Sequence, residues 1–187
     1  MLQHVEKVVL SGIVIIPASS VHAPFLAQTL LRGLSALVPA TVQGVVADVT
    51  IAAPKGLEGL DRIADHAGCA LQEADILSDA VRAALGNARK EHVLLLGFGH
   101  SPAPGFHQEL DALYRAGVRR CIMREEPGSF LHRVFPALSP AVMATVEREH
   151  ADRLMAADPG FASMRKLAAS LRKARIMAHR AIRLDAG

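Results

Sequence analysis

Short runs of β-branched and apolar residues alternate along the chain with segments whose apolar residues recur at helical spacing, and this alternation limits the fold more than any other feature. Because a strand, a helix and a second parallel strand form a right-handed βαβ unit, the pattern predicts an α/β fold. We expect three layers, in which helices cover both faces of a mostly parallel sheet. The predicted strands lie within residues 7–17, 42–54, 69–74, 92–98 and 118–125.

The loops that follow these strands are the candidate site, because ligands of parallel sheets bind beyond the carboxyl ends of the strands. The loops cover residues 17–22, 52–57, 97–105 and 124–128. Glu125 and Glu126 follow the fifth strand, where a carboxylate can act as a general base. A pair of carboxylates at a helix N-terminus is the structural alternative, since the helix dipole favours negative charge there.

The chain has 187 residues, enough for one α/β domain and an appendage. We expect the α/β domain over residues 1–126 and a helical continuation packed on it over 127–159. Its clearest helical stretch is AVMATVEREHADRLMAA, residues 141–157. We expect residues 160–187 to form a basic helical tail.

Composition excludes some classes of function. Aromatic residues make up 4% of the chain, which leaves few rings for base stacking and argues against nucleic-acid binding. Cys69 and Cys121 lie beside strand-like runs and are expected to be structural. The first apolar run has about ten residues and ends at Pro17, too short to span a bilayer, so we expect a cytoplasmic protein.

Common active-site motifs are missing from the strand-to-helix loops. No loop carries a G-x-G-x-x-G or P-loop pattern. Ser101 lies at a turn typical of hydrolase nucleophiles, but Ala103 stands where that motif requires glycine. His100, His107 and Asp111 make only a weak metal-ligand pattern.

Two segments carry a resemblance to a known family. GIVIIPASSVHAPFLAQTLLRGL, residues 12–34, and AVRAALGNARKEHVLLLGFGHSPAPGF, residues 80–106, resemble the nucleotide-sugar-binding half of the GT-A fold, and most of all family 2 glycosyltransferases. The family's metal-binding loop reads L-D-x-D-x-x-P-x-P-G-F. The resemblance covers roughly residues 7–125. The residues in register with the end of that loop are Pro102, Pro104, Gly105 and Phe106.

The departures from the family pattern concern its acids. The two acids of D-x-D hold a divalent cation against the donor's diphosphate, and Gly97 and Gly99 stand at their positions. The stretch that usually supplies acids to the nucleoside has Ala52, Ala53 and Pro54 instead. A neutral imidazole such as that of His100 suits zinc better than magnesium or manganese. A divalent metal is therefore disfavoured, and no cofactor is identified.

The resemblance implies a divergent glycosyltransferase-like protein that transfers a sugar from a nucleotide-sugar donor without a D-x-D-bound metal. The alternative is a catalytically inactive GT-A-like binding or scaffold protein. Glu125 or Glu126 is the candidate base. By the resemblance the donor would contact, from base to diphosphate, Pro17, Ala18, Ser19, Ser20, Ala53, Lys55, Gly97, Gly99, His100 and Ser101.

The basic residues are concentrated at the end of the chain. The net charge is +3, and residues 160–187 hold seven Lys or Arg but one Asp. A helix over 163–184 would be basic and amphipathic, which suits packing on its own domain, a protein partner, or an anionic membrane on its inner face. The predicted apolar side of this helix consists of Met164, Leu167, Leu171, Ala174, Ala178 and Ile182.

Overall fold

The computed structural model describes residues 9–20, 25–135, 138–157, 164–171 and 173–184. The strands are β1 (Leu10–Ile15), β2 (Val46–Pro54), β3 (Ala70–Ala74), β4 (His92–Gly97), β5 (His100–Pro102), β6 (Cys121–Arg124), β7 (Ala141–Glu147), β8 (Arg175–Ile176) and β9 (Ala181–Arg183). The helices are α1 (Leu26–Val42), α2 (Leu60–Ala67), α3 (Leu77–Asn87), α4 (Phe106–Arg115), α5 (Phe130–Val134), α6 (Arg148–Ala157) and α7 (Met164–Ser170), and a 3₁₀ turn covers Ala18–Ser20.

The central sheet has seven strands in the order β3-β2-β1-β4-β7-β6-β8. Strands β1, β2, β3 and β4 pair with one another in parallel, β7 is antiparallel to both β4 and β6, and β8 is parallel to β6. A second, small sheet pairs β5 with β9 in antiparallel fashion. The α/β prediction and the mostly parallel sheet are confirmed, and each of the five predicted strands is present.

Both faces of the central strands are buried. In β1 the side chains of Leu10 and Val14 belong to one core cluster, while those of Ile13 and Ile15 belong to the other. Helices α1, α2 and α4 contribute to the first cluster, and α3, α6 and α7 contribute to the second. Since side chains alternate across a strand, helices on both faces require apolar residues at consecutive positions, as in the run HVLLLGF from which β4 was predicted.

The helical continuation expected over residues 127–159 is wrong for its middle third. Ala141–Glu147 forms β7, which runs between β4 and β6 with six of its residues buried. By periodicity alone, a short apolar run fits a buried strand as well as a helix. Here the run forms a strand because it pairs with the edges of β4 and β6. Within the stretch 141–157, which was predicted to be the clearest helix, only Arg148–Ala157 is helical.

The continuous basic helix expected over residues 163–184 is also wrong. The helix α7 ends at Ser170, and the chain then forms β8 beside β6 and β9 beside β5. The backbone groups of this segment form hydrogen bonds with the edges of β6 and β5. If the segment were a helix, those strand edges would remain unpaired.

The apolar residues of this segment pack on the body of the protein. Met164, Leu167 and Leu171 are at most 7% exposed and belong to the second core cluster. Their side chains are therefore not available to a membrane or a partner, as the surface proposed over 163–184 would need. Among the described residues, no helix is both long and apolar enough to cross a bilayer.

Replacing Leu167 by alanine tests this packing. We expect L167A to lower the free energy of unfolding by about 2–5 kcal/mol, since it removes a side chain that is 2% exposed. The matched control is L31A, whose side chain lies on the exposed side of α1. This variant should change the free energy of unfolding by less than about 1 kcal/mol. Urea denaturation followed by circular dichroism measures both, and equal midpoints for L167A and the wild type would contradict the packing.

Candidate functional site

An apolar cavity of about 210 Å³ lies at the carboxyl end of the sheet, between the ends of β1, β4 and β6. Four residues proposed from three separate loops line it, and they are Pro17, Gly97, His100 and Glu125. We expected these loops to meet at one edge of the sheet because parallel strands end at the same edge. The cavity lies at that edge.

The loop after β4 has a backbone path that directs His100 into the cavity. The amide of Phe98 donates to the carbonyl of Ile15 at 2.9 Å, which continues the pairing of β4 with β1 by one residue. Gly99 then adopts a φ of +84°, a left-handed conformation that residues with a side chain rarely adopt. The turn reverses the chain into β5, which starts at His100.

The imidazole of His100 is held between two oxygen atoms. Its Nδ1 lies 3.1 Å from the carbonyl oxygen of Phe98, and its Nε2 lies 3.4 Å from Oε2 of Glu125. A carbonyl oxygen can only accept, so Nδ1 donates, and Nε2 donates to the carboxylate when the ring carries both protons. The side chains are only 19% and 17% exposed. The pair is thus largely shielded from solvent and lies next to the cavity.

Met164 of α7 occupies the space above Gly97. A Cβ atom on Gly97 would lie 3.1 Å from Cγ of Met164 and 3.4 Å from the carbonyl oxygen of Val142. A side chain at this position would therefore require the side chain of Met164 to shift by a few tenths of an ångström. The family resemblance assigns this position to the first metal-binding acid, and here glycine supplies no side-chain ligand.

The side chains present do not fit a D-x-D metal. Gly99 offers no side-chain ligand atom, its carbonyl oxygen accepts from the amide of Leu184 at 2.8 Å, and the ring nitrogens of His100 are engaged by Phe98 and Glu125. Within the described ranges, no group of three His, Cys, Asp or Glu side chains is arranged to hold an ion. His107 is buried in α4, and Asp111 is paired with Arg115 at 2.6 Å, so the pattern they form with His100 does not produce a cluster.

Other proposed donor contacts lie outside this cavity. Ala53 is buried in β2, and Lys55 makes an exposed ion pair with Asp75 at 3.3 Å. Ala18 and Ser19 are exposed in the 3₁₀ turn, whereas Ser20 is buried. Ser101 lies in β5, where it pairs with Ile182. The 3₁₀ turn directly follows Pro17, so Ala18, Ser19 and Ser20 flank the cavity without lining it.

A second, wider cavity of about 540 Å³ adjoins the first at Glu125. Its lining includes two arginines that sequence reasoning missed, Arg133 of α5 and Arg183 of β9. The strand β9 reaches this place because it pairs with β5, which sets Arg183 opposite His100. No local pattern in the sequence announces that pairing, since the two strands are about eighty residues apart in the chain.

Glu109 of α4 anchors the segment that leads into β9. Its carboxylate accepts hydrogen bonds from the amides of Ala178 and His179, at 2.6 and 2.9 Å, and from Nδ1 of His179 at 2.6 Å. Burial alone would raise the pKa of Glu109, but the hydrogen bonds from His179 and Ala178 outweigh it and hold that pKa below its ordinary value. The charged form is thus stabilised by folding.

We expect E109Q to lower the free energy of unfolding by about 1–2 kcal/mol at pH 7, because it weakens three hydrogen bonds to a carboxylate. A lowered pKa stabilises the fold above the ordinary glutamate pKa of about 4.3, and this contribution is lost as the pH falls through the lowered value. The difference from the wild type should therefore shrink below about pH 4. Urea titrations at several pH values measure it.

The control for this experiment is E58Q, which neutralises an exposed carboxylate in the loop after β2. It should show no comparable loss at pH 7. If E109Q and E58Q unfolded alike across the pH range, Glu109 would not be the anchor of the segment.

Searches with the sequence find no matching family model and no matching curated protein. Comparison of the structures shows a nucleotide-diphospho-sugar transferase-like fold of the GT-A type. A mycobacterial protein of known structure superposes with a TM-score of 0.57 at 15% identity, over 95% of this chain and 65% of its own.

Two glycosyltransferases give similar superpositions. Glucosyl-3-phosphoglycerate synthase from Mycobacterium tuberculosis, in complex with Mn²⁺, uridine diphosphate and glucosyl-3-phosphoglycerate, has a TM-score of 0.54 at 14% identity, over 77% of this chain and 58% of its own. Mannosyl-3-phosphoglycerate synthase from Rubrobacter xylanophilus has a TM-score of 0.53 at 15% identity, over 77% and 54%. This chain spans less than two thirds of the length of each of these proteins.

Proposed function

We propose that the protein is a divergent GT-A-like transferase that binds a nucleotide sugar at the carboxyl end of the sheet and acts on it without a D-x-D-bound metal. The observation that carries this proposal is the pair of His100 and Glu125, which lies beside a cavity at the edge where sheets of this kind bind ligands. The proteins of similar structure include an enzyme crystallised with uridine diphosphate and with uridine-diphosphate-glucose.

In this proposal Glu125 is the general base. Its carboxylate takes the proton of an acceptor hydroxyl, whose oxygen forms the new bond to the anomeric carbon while the bond from that carbon to the nucleoside diphosphate breaks. His100 orients the carboxylate and stabilises its charge, as a second group does in many acid-base pairs. The 17% exposure of Glu125 supports this role over Glu126, whose residue is exposed.

A second candidate function rests on Met164. Because its side chain fills the space above Gly97, the region that would receive the donor's diphosphate is narrowed by the protein's own helix. This observation favours a catalytically inactive protein that keeps the fold and binds a ligand or partner without transfer. The two candidate functions differ in one outcome: a transferase consumes the nucleotide-sugar donor, and an inactive binding protein does not.

Calorimetry with UDP, GDP and their sugars, each with and without Mn²⁺, tests donor binding. We expect one nucleotide to bind with the same affinity in both conditions, because neither Gly97 nor Gly99 can ligate the ion. The absence of heat with every donor would overturn the transferase proposal. A strong dependence on Mn²⁺ would overturn its metal-independent part.

Release of nucleoside diphosphate from the bound donor tests catalysis. We expect E125Q to lower kcat by roughly 10²- to 10⁴-fold with little change in the donor KM, since the amide cannot accept the proton. The exposed-site variant E58Q serves as the matched control and should keep full activity. A donor that binds but is never consumed by the wild type would establish the inactive alternative.

A further inference from the structure

Apolar side chains form most of the wall of the smaller cavity, at the ends of β1, β4 and β6. Ten of the described residues line it, and seven of them have apolar side chains. The other three are Gly97, His100 and Glu125, of which the last two lie within 3.4 Å of each other. The cavity thus has an apolar wall with one polar place in it.

Core residues hold much of this wall in place. Ile15, Ala141 and Met164 belong to the second core cluster, and Val142 belongs to the first. Each of these four residues is at most 7% exposed. Because packed residues of both cores shape the wall, the cavity is formed before a ligand arrives, and binding needs little further ordering of side chains.

The volume limits what this cavity can hold. Apolar cavities of about 150 Å³ accommodate a benzene ring, whereas sites for drug-sized ligands have roughly 300–1,000 Å³. At about 210 Å³, this cavity has room for one ring with small substituents. A whole nucleotide sugar, with its base, its two sugars and its diphosphate, would have to extend beyond it.

The lining also limits the polarity of the occupant. A sugar has a hydroxyl on nearly every carbon, and hydroxyls placed against an apolar wall lose their hydrogen bonds to water without replacement. The carboxylate of Glu125 repels an anion, and a cation would compete with His100 for it. A single neutral hydroxyl fits, because a carboxylate accepts several hydrogen bonds and can keep His100 as one donor.

We infer that this cavity binds a small apolar molecule with one hydroxyl, such as a phenol. The hydroxyl donates to Glu125, and the ring packs against Ile15, Val142 and Met164. The inference rests on the proposed function in one respect, because it makes this molecule the acceptor of the sugar. It deepens that proposal by naming the chemical class of the acceptor.

Transfer to such an acceptor balances. The hydroxyl oxygen forms a bond to the anomeric carbon, and its proton passes to Glu125. The bond from that carbon to the nucleoside diphosphate breaks, and the electron pair leaves with the diphosphate. The product is an apolar glycoside, whose hydroxyl proton no longer holds it to the carboxylate.

Nuclear magnetic resonance of the full chain, titrated with phenol, toluene or glucose, tests the cavity. We expect phenol to shift the amide signals of Phe98, Val142 and Met164, and glucose to leave them unchanged. E125Q should weaken phenol by about 5- to 10-fold, because a hydrogen bond to a charged group becomes one to a neutral amide. It should not weaken toluene, which has no hydroxyl. The control E58Q, at an exposed residue, should bind phenol as the wild type does.

A second variant tests the size of the cavity. M164A removes a side chain from the wall, so it should favour 2-naphthol over phenol by about 10-fold relative to the wild type. The matched control is M155A, since Met155 is 1% exposed in the same core cluster and does not belong to the described lining. It should leave the ratio of the two affinities unchanged. Far-ultraviolet circular dichroism verifies that each variant is folded.

The outcomes for the cavity and for the proposed function are distinct. Phenol that fails to bind, or that binds E125Q as tightly as the wild type, would overturn the inference, and so would benzylamine that binds more tightly than phenol. If a nucleotide sugar were still consumed and E125Q abolished its turnover, the proposed function would stand without the inference. Phenol binding that depends on Glu125, with no binding of any nucleotide sugar, would support the cavity and remove the proposed function.

Discussion

The antiparallel strand β7 decides how the candidate site is assembled. It lies between β4 and β6 and is antiparallel to both, so β4 and β6 run in the same direction and their carboxyl ends meet at one edge of the sheet. Two strand spacings separate β4 from β6 by about 10 Å. Glu125 at the end of β6 and Gly97 at the end of β4 therefore face each other across the start of β7, and the side chain of His100 bridges the gap.

The chemistry of the site depends on this arrangement. His100 faces a carbonyl oxygen on one side and the carboxylate of Glu125 on the other, beside an apolar cavity. Met164 fills part of the space above Gly97, and guanidinium groups line the adjoining cavity. The GT-A-like fold is thus combined here with glycines and a methionine side chain at the end of β4.

Prediction from the sequence succeeded where structure is local. The strands β1 to β4 and β6, and the helices α1 to α4 between them, follow from periodicity over a few residues. The grouping of Pro17, Gly97 and Glu125 followed from a rule about parallel strands. Prediction of secondary structure failed for Ala141–Glu147 and for the chain after Ser170. A short apolar or basic run can form a helix or a strand, and here pairing with neighbouring strands decides between them. The arginines at positions 133 and 183 had no local signal for the same reason.

The sequence alone therefore determined the α/β class, the order of its first elements and the edge of the sheet at which the candidate loops meet, since these depend on side-chain period and strand direction. It also determined that Gly97 and Gly99, which carry no side-chain ligand atoms, stand at and just after the end of β4. Only the tertiary structure decided that the end of the chain returns to the site as β9, that Met164 covers Gly97, and that His100 meets Glu125. Each of these is a contact between residues at least twenty-five positions apart, and the energy of such contacts depends on which surfaces the rest of the fold leaves unpaired.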